Sequence, residues 1–135
     1  AHRVLGHGGK CRHLHGHRYV VEVTLTAPKL DKLGMVVDFG DVKPLFKNWI
    51  DKFWDHNAIF HYQDDLLLQI TNAANGGKAP YAMDNNPTAE NMAEFLYSKF
   101  SQMVVPPVSI LNVRVQETPG CYADYSRTES QVALR

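Results

Sequence analysis

The chain has no surplus of either charge. Its 14 lysines and arginines offset 14 aspartates and glutamates, so the formal net charge is zero. Such a balance leaves no global field to hold a nucleic-acid backbone or an anionic membrane, and neither is expected as a partner. Cysteine is scarce: only Cys11 and Cys121 occur in 135 residues. Two thiols make no disulfide framework, which points to the reducing cytoplasm. Apolar runs fall short of the ~18 residues that span a bilayer. Internal repeats and dividing linkers are also missing, so residues 1–135 are expected to form one domain. That length suits a real core but is small for a complete barrel.

What the chain does have is a histidine-rich opening that runs into a strand. From Tyr19 onward apolar residues alternate, with Tyr19, Val21, Val23 and Leu25 on one side, as in a half-buried β-strand. His15 and His17 share that parity. At about 3.3 Å per residue their bases would stand roughly 6.6 Å apart on one face, a separation that lets two imidazoles converge on one metal ion. Gly16 between them leaves room for close approach. Zinc usually takes three protein ligands in a catalytic site. His2 is the candidate third, from residues 1–5 paired beside the strand, with His7 and His13 as competitors. Cys11 stands four residues before His15. Beside a cation its thiol becomes a nucleophile or base; as a fourth ligand it would instead close a structural site. Arg3, Lys10, Arg12 and Arg18 form a basic patch that either receives an anionic substrate or is a solvated face.

Beyond the strand, residues 28–34 carry turn chemistry and 35–39 read as its antiparallel return. Val42, Leu45, Phe46, Trp49, Ile50 and Phe53 then make a helical stripe, with Asp41 as N-cap and Pro44 in the first turn. Asp55-His56 at the helix end is either a cap or an acid/base pair. Residues 63–86 are a variable connection, with a short helix expected over 64–70 and a loop over 72–78. Thr88 caps a second helix bearing Met92, Ala93, Leu96, Phe100 and Met103. Residues 108–118 alternate again, with Leu111, Val113 and Val115 on one face and Glu117 sharing their parity. An acid there either reaches water at a frayed end or has a partner. Pro119-Gly120 turns into a last strand over 122–125.

Several of these stretches together carry a family resemblance: Cys11-x-x-Leu14-His15-Gly16-His17, residues 34–39, Asp55-His56, Pro87-Thr88-Ala89-Glu90-Asn91, and Val115-Gln116-Glu117-Thr118. In this order they resemble the 6-pyruvoyltetrahydropterin synthase superfamily. The three-residue gap between Cys11 and His15 is similar to the 6-carboxytetrahydropterin synthase branch, which serves queuosine and related deazapurine pathways. The resemblance implies an α+β tunnelling fold in ββααββ order: a four-stranded antiparallel sheet with two helices on one face, closed into a barrel by a homohexamer of two stacked trimers. It also implies zinc held by His2, His15 and His17, proton transfer by Cys11 with Asp55 and His56, and a pterin ring held by Glu117 with Thr88 and Glu90. The expected substrate is 7,8-dihydroneopterin triphosphate. A 6-pyruvoyl product and a non-catalytic structural zinc module are the alternatives. The family's first strand extends further upstream than Ala1, so a few N-terminal residues are expected to be missing.

Overall fold

The alternation after His17 produces strand β1 (Val20–Thr26), whose odd-numbered side chains turn inward while Val20, Glu22 and Thr24 stay exposed. The computed structural model describes residues 1–65, 69 and 76–127. In chain order α1 (Phe39–Phe53), β2 (Ile59–His61), β3 (Tyr81–Met83), α2 (Ala89–Ser101), β4 (Ser109–Thr118) and β5 (Cys121–Tyr125) follow β1. The central sheet is antiparallel, in the order β1-β4-β5, while β2 and β3 pair as a separate parallel two-stranded sheet.

One core joins the helices to the inner face of the larger sheet. Met92, Ala93, Leu96 and Phe100 of α2 are almost wholly buried, as are Val113 and Val115 of β4. From α1 come Val42, Phe46 and Trp49, and Phe46 stacks on Phe100 with ring centroids 4.6 Å apart. Each large side chain so buried contributes about 1.5–3 kcal/mol. The α2 cap is as expected, since the Thr88 hydroxyl accepts the Asn91 N–H at 3.4 Å.

Several expectations need correction. Residues 35–39 form no strand: Asp31 accepts the N–H groups of Leu33 and Met35 on one carboxylate oxygen, and its own N–H donates to the Met35 carbonyl. That local closure competes with a ladder, and Gly34 at φ 83° completes it. Among the described residues the architecture is therefore three antiparallel strands plus a parallel pair, and not four strands in ββααββ order. The N-cap of α1 is Asp38, which accepts the Gly40 N–H at 2.6 Å, and not Asp41. With the helix starting at Phe39, Pro44 lies beyond its first turn. Finally, Leu111 is half exposed and Ile110 is buried, because β4 bulges opposite the Thr24/Leu25 step and shifts parity by one residue. Leu45 also faces outward from α1. Most of the helix expected over 64–70, and much of the 72–78 loop, lie outside the described residues.

Candidate metal centre

The first five residues are held from both sides. His2 exchanges two backbone hydrogen bonds with His15, its N–H donating at 2.8 Å and its carbonyl accepting at 3.0 Å. On the other side the Ile59 N–H donates to the Ala1 carbonyl at 2.9 Å, and His2 forms a parallel bridge to Ile59. The segment is thus wedged between the approach to β1 and strand β2. His2 ends up only 2% exposed.

This placement brings three imidazoles together. One ring nitrogen from each of His2, His15 and His17 lies within 4.8 Å of the others. Nδ1 of His2 contacts the Pro87 carbonyl at 2.7 Å, and Nδ1 of His15 contacts the His13 carbonyl at 2.7 Å. A carbonyl oxygen only accepts, so the hydrogen-bond network assigns the proton of each ring to Nδ1. The two Nε2 atoms then face each other as bare lone pairs, 3.1 Å apart. Such a contact is repulsive unless a cation lies between them. Two nitrogens on one tetrahedral zinc, at 2.0–2.1 Å from it, would be about 3.3 Å apart. The donor set therefore fits zinc. Burial is the main reason that the His2 pKa falls to about 4; the Pro87 hydrogen bond opposes it, and the neighbouring His15 and His17 rings reinforce it.

Glu117, at the end of β4, reaches the same point. Its two carboxylate oxygens lie 4.0 Å from Nε2 of His2 and of His17. This partnership answers the question posed by an acid on the apolar parity. Tyr19 stands edge-on to His2 and His17, at 5.7 and 5.5 Å between ring centroids. Its hydroxyl is buried without a hydrogen-bond partner among the described residues, and burial foremost, then Glu117, raises its pKa.

Cys11 is a half-buried free thiol in a single 3₁₀ turn, Lys10–Arg12, whose Cys11 carbonyl accepts the Val4 N–H at 2.8 Å. Among the described residues it does not join the converging set, which leaves three histidines and room for a fourth ligand from outside. The rival histidines are placed elsewhere: the His7 ring accepts the Gly9 N–H, and the His13 ring pairs with the Arg12 guanidinium.

Asp55 and His56 sit in the turn that follows α1. His56 adopts φ 49°, and its Nδ1 lies 2.8 Å from Asp55 Oδ2. The Asp55 carboxyl is held below its usual range, chiefly by this hydrogen bond. Both residues line a cavity of about 1500 Å³ that His17, Arg18, Tyr19 and Lys47 also line, but Cys11 and Glu117 do not. Thr88 spends its hydroxyl on the helix cap and Glu90 is exposed in the first turn of α2. The basic patch is dispersed, because Arg3 turns inward to Asp64.

Three contributors escaped the sequence reading: the carbonyls of Pro87 and His13, and the Arg3–Asp64 pair. A carbonyl carries no side-chain signature. Asp64 lies 61 residues from its partner in a stretch without periodicity.

Comparison with known proteins follows the same lines. Residues 1–128 match the family model described as 6-pyruvoyl tetrahydropterin synthase. A 6-carboxy-5,6,7,8-tetrahydropterin synthase from Rickettsia felis is 45% identical over 126 residues, covering 91% of this chain and 90% of that protein. Its namesake from Haemophilus influenzae is 30% identical over 129 residues, covering 93% and 90%. A crystal structure of an uncharacterized Wolinella succinogenes protein superposes with a TM-score of 0.78 at 26% identity, covering 94% of this chain and 92% of that one.

Proposed function

The chain belongs to the 6-pyruvoyl tetrahydropterin synthase family, and we propose that it acts as a zinc-dependent 6-carboxy-5,6,7,8-tetrahydropterin synthase. On this reading 7,8-dihydroneopterin triphosphate takes up one water and releases triphosphate and acetaldehyde, in queuosine or related 7-deazapurine synthesis. The observation that carries the metal is the 3.1 Å approach of two Nε2 atoms whose Nδ1 partners are both carbonyls. The carboxy product is supported by the names of relatives 42–45% identical over 91% of the chain.

His2, His15 and His17 hold the ion in this scheme. Zinc, when bound, supplies a Lewis acid that lowers the pKa of substrate hydroxyls and stabilises developing oxyanions. Cys11 as thiolate moves a proton at the substrate side chain. His56 is the second acid/base group, with Asp55 orienting its ring through Nδ1. Glu117 anchors the ring beside the metal, where its carboxylate already lies 4.0 Å from two of the histidines, and Thr88 and Glu90 complete the ring site. Three convergent histidines without Cys11 favour an open site over a closed structural one.

Assembly belongs to the same proposal. The sheet ends in β1 on one side and β5 on the other, and open edges of this kind are normally paired or closed. We propose a homohexamer of two stacked trimers, with Cys11 of one subunit meeting Asp55 and His56 of another. Both cysteines are free, and among the described residues no helix is long and apolar enough to cross a membrane; the proposed compartment is the cytoplasm. Mass spectrometry of the product formed from dihydroneopterin triphosphate tests the activity. A carboxylated tetrahydropterin with acetaldehyde supports it, and a pyruvoyl product selects the 6-pyruvoyl synthase instead.

A further inference from the structure

We propose that Arg3 and Asp64 are a positioning pair, which locks the segment carrying His2 in register and, through it, the turn carrying Cys11. This rests on the reading of His2 as a metal ligand.

Asp64 is 3% exposed, and the Arg3 guanidinium occupies both of its oxygens: Nε donates to Oδ2 at 2.6 Å, and Nη2 donates to Oδ1. A planar fork on a carboxylate fixes direction as well as distance, which a lysine cannot do. A buried carboxylate needs its charge paired, so Asp64 has no inexpensive alternative to Arg3. Asp64 is anchored in turn, since its N–H donates to the carbonyl of His61, the last residue of β2, at 2.9 Å.

The backbone pairing around His2 is thin. The bridges from His2 to His15 and to Ile59 are both isolated, with no continuous ladder to resist rotation of the segment. Arg3 follows His2 directly, and the next residue, Val4, donates its N–H to the Cys11 carbonyl at 2.8 Å. One buried ion pair therefore sits between a proposed ligand and a proposed acid/base residue, and ties both to β2. If the segment rotates, the 2.7 Å contact of His2 Nδ1 with Pro87 fails and the Nε2 atom loses its aim.

The test uses the full chain with Arg3→Lys and Asp64→Asn. Zinc affinity is measured by competition with a chromophoric chelator, and amide hydrogen exchange is followed by NMR on the metal-free protein. Positioning predicts zinc binding weaker by about ten- to a hundredfold. It also predicts exchange at least about tenfold faster at the His2, Val4, His15 and Ile59 amides, with Val113 and Val115 in β4 unchanged, a pattern that general loss of stability would not give. Arg3→Lys keeps a cation beside Asp64 and holds the test open if Asp64→Asn does not fold. Unchanged zinc affinity, or exchange accelerated equally in β4, would overturn the proposal. If the parent chain bound no zinc, the metal reading beneath it would fail first, before any variant is made.

Discussion

His2 keeps 2% of its surface, and both of its ring nitrogens face other groups, whereas His56 leaves 92% of its side chain in solvent with Asp55 as its hydrogen-bond partner. The two regions are made from the same kinds of residue, a histidine with an acid beside it. In the first, a core on one side and β2 on the other hold one nitrogen of each ring within 4.8 Å of the others. In the second, a turn after α1 holds the pair out on the rim of a cavity. A carboxylate–imidazole contact so exposed adds almost nothing to stability. The fold thus gathers the three imidazoles within one chain. Asp55 and His56 line that cavity, and Cys11 does not.

The sharpest way to break this comparison is to remove the shared ligand of the first region. His15→Ala is expected to strip zinc and to lower turnover by about 10³-fold or more, given the several kcal/mol that a metal contributes and 1.36 kcal/mol per tenfold in rate. Metal analysis and product mass spectrometry check it together. Full zinc occupancy in the variant would show that the three histidines are not the ligand set. The same substitution should leave α1 and the Asp55–His56 turn folded, because neither touches the His15 ring.

How far the two regions could be read from the chain differs for a physical reason. The parity of His15 and His17 is a local property of an alternating stretch, and strand pairing of residues 1–5 with that stretch needs only a tight connection between them. The facing groups are another matter. Pro87 lies 85 residues from His2, and it acts through a backbone oxygen that every residue possesses. The bulge that turns Ile110 in and Leu111 out depends on the register with β1, which the pattern of either strand alone does not contain. Residues 35–39 look like a strand by composition, yet the Asp31 side chain closes their approach into a turn. At Asp55-His56 the motif is plain in the chain, and the position of the pair relative to Cys11 is what pattern could not supply.

A second prediction concerns the separation itself. Cys11→Ala should keep zinc and the fold while turnover falls by about 10²–10⁴-fold, the range for loss of a positioned proton-transfer group. Loss of zinc along with activity would instead restore Cys11 as a fourth ligand. His56→Ala should be equally inactive with no change in melting. Mixing the two inactive proteins under subunit exchange should return about a quarter of parental activity, if each site draws Cys11 from one subunit and His56 from another at random. No recovery after demonstrated exchange would place both groups within one chain. A sedimentation mass near 15.3 kDa would remove the shared site altogether.

The smallest expected effect lies inside the buried region. Tyr19 packs edge-on to His2 and His17, but its hydroxyl is buried with no hydrogen-bond partner among the described residues. A desolvated and unpaired hydroxyl costs roughly 1–3 kcal/mol, part of which is recovered when it is replaced by hydrogen in a ring of the same shape. Tyr19→Phe retains the aromatic contacts and leaves no cavity. The metal-free variant is therefore expected to match the parent or to exceed it by about 1 kcal/mol, seen in urea as an unchanged or higher midpoint with the same slope. A loss above about 0.5 kcal/mol would mean that the hydroxyl has a partner in solution, since a surface-like neutral change stays within that margin. Turnover gives the second reading of the same variant. If the folded, zinc-loaded variant loses activity while its stability holds, the hydroxyl supplies a hydrogen bond to bound substrate, and the buried region owns a polar group that only a ligand satisfies.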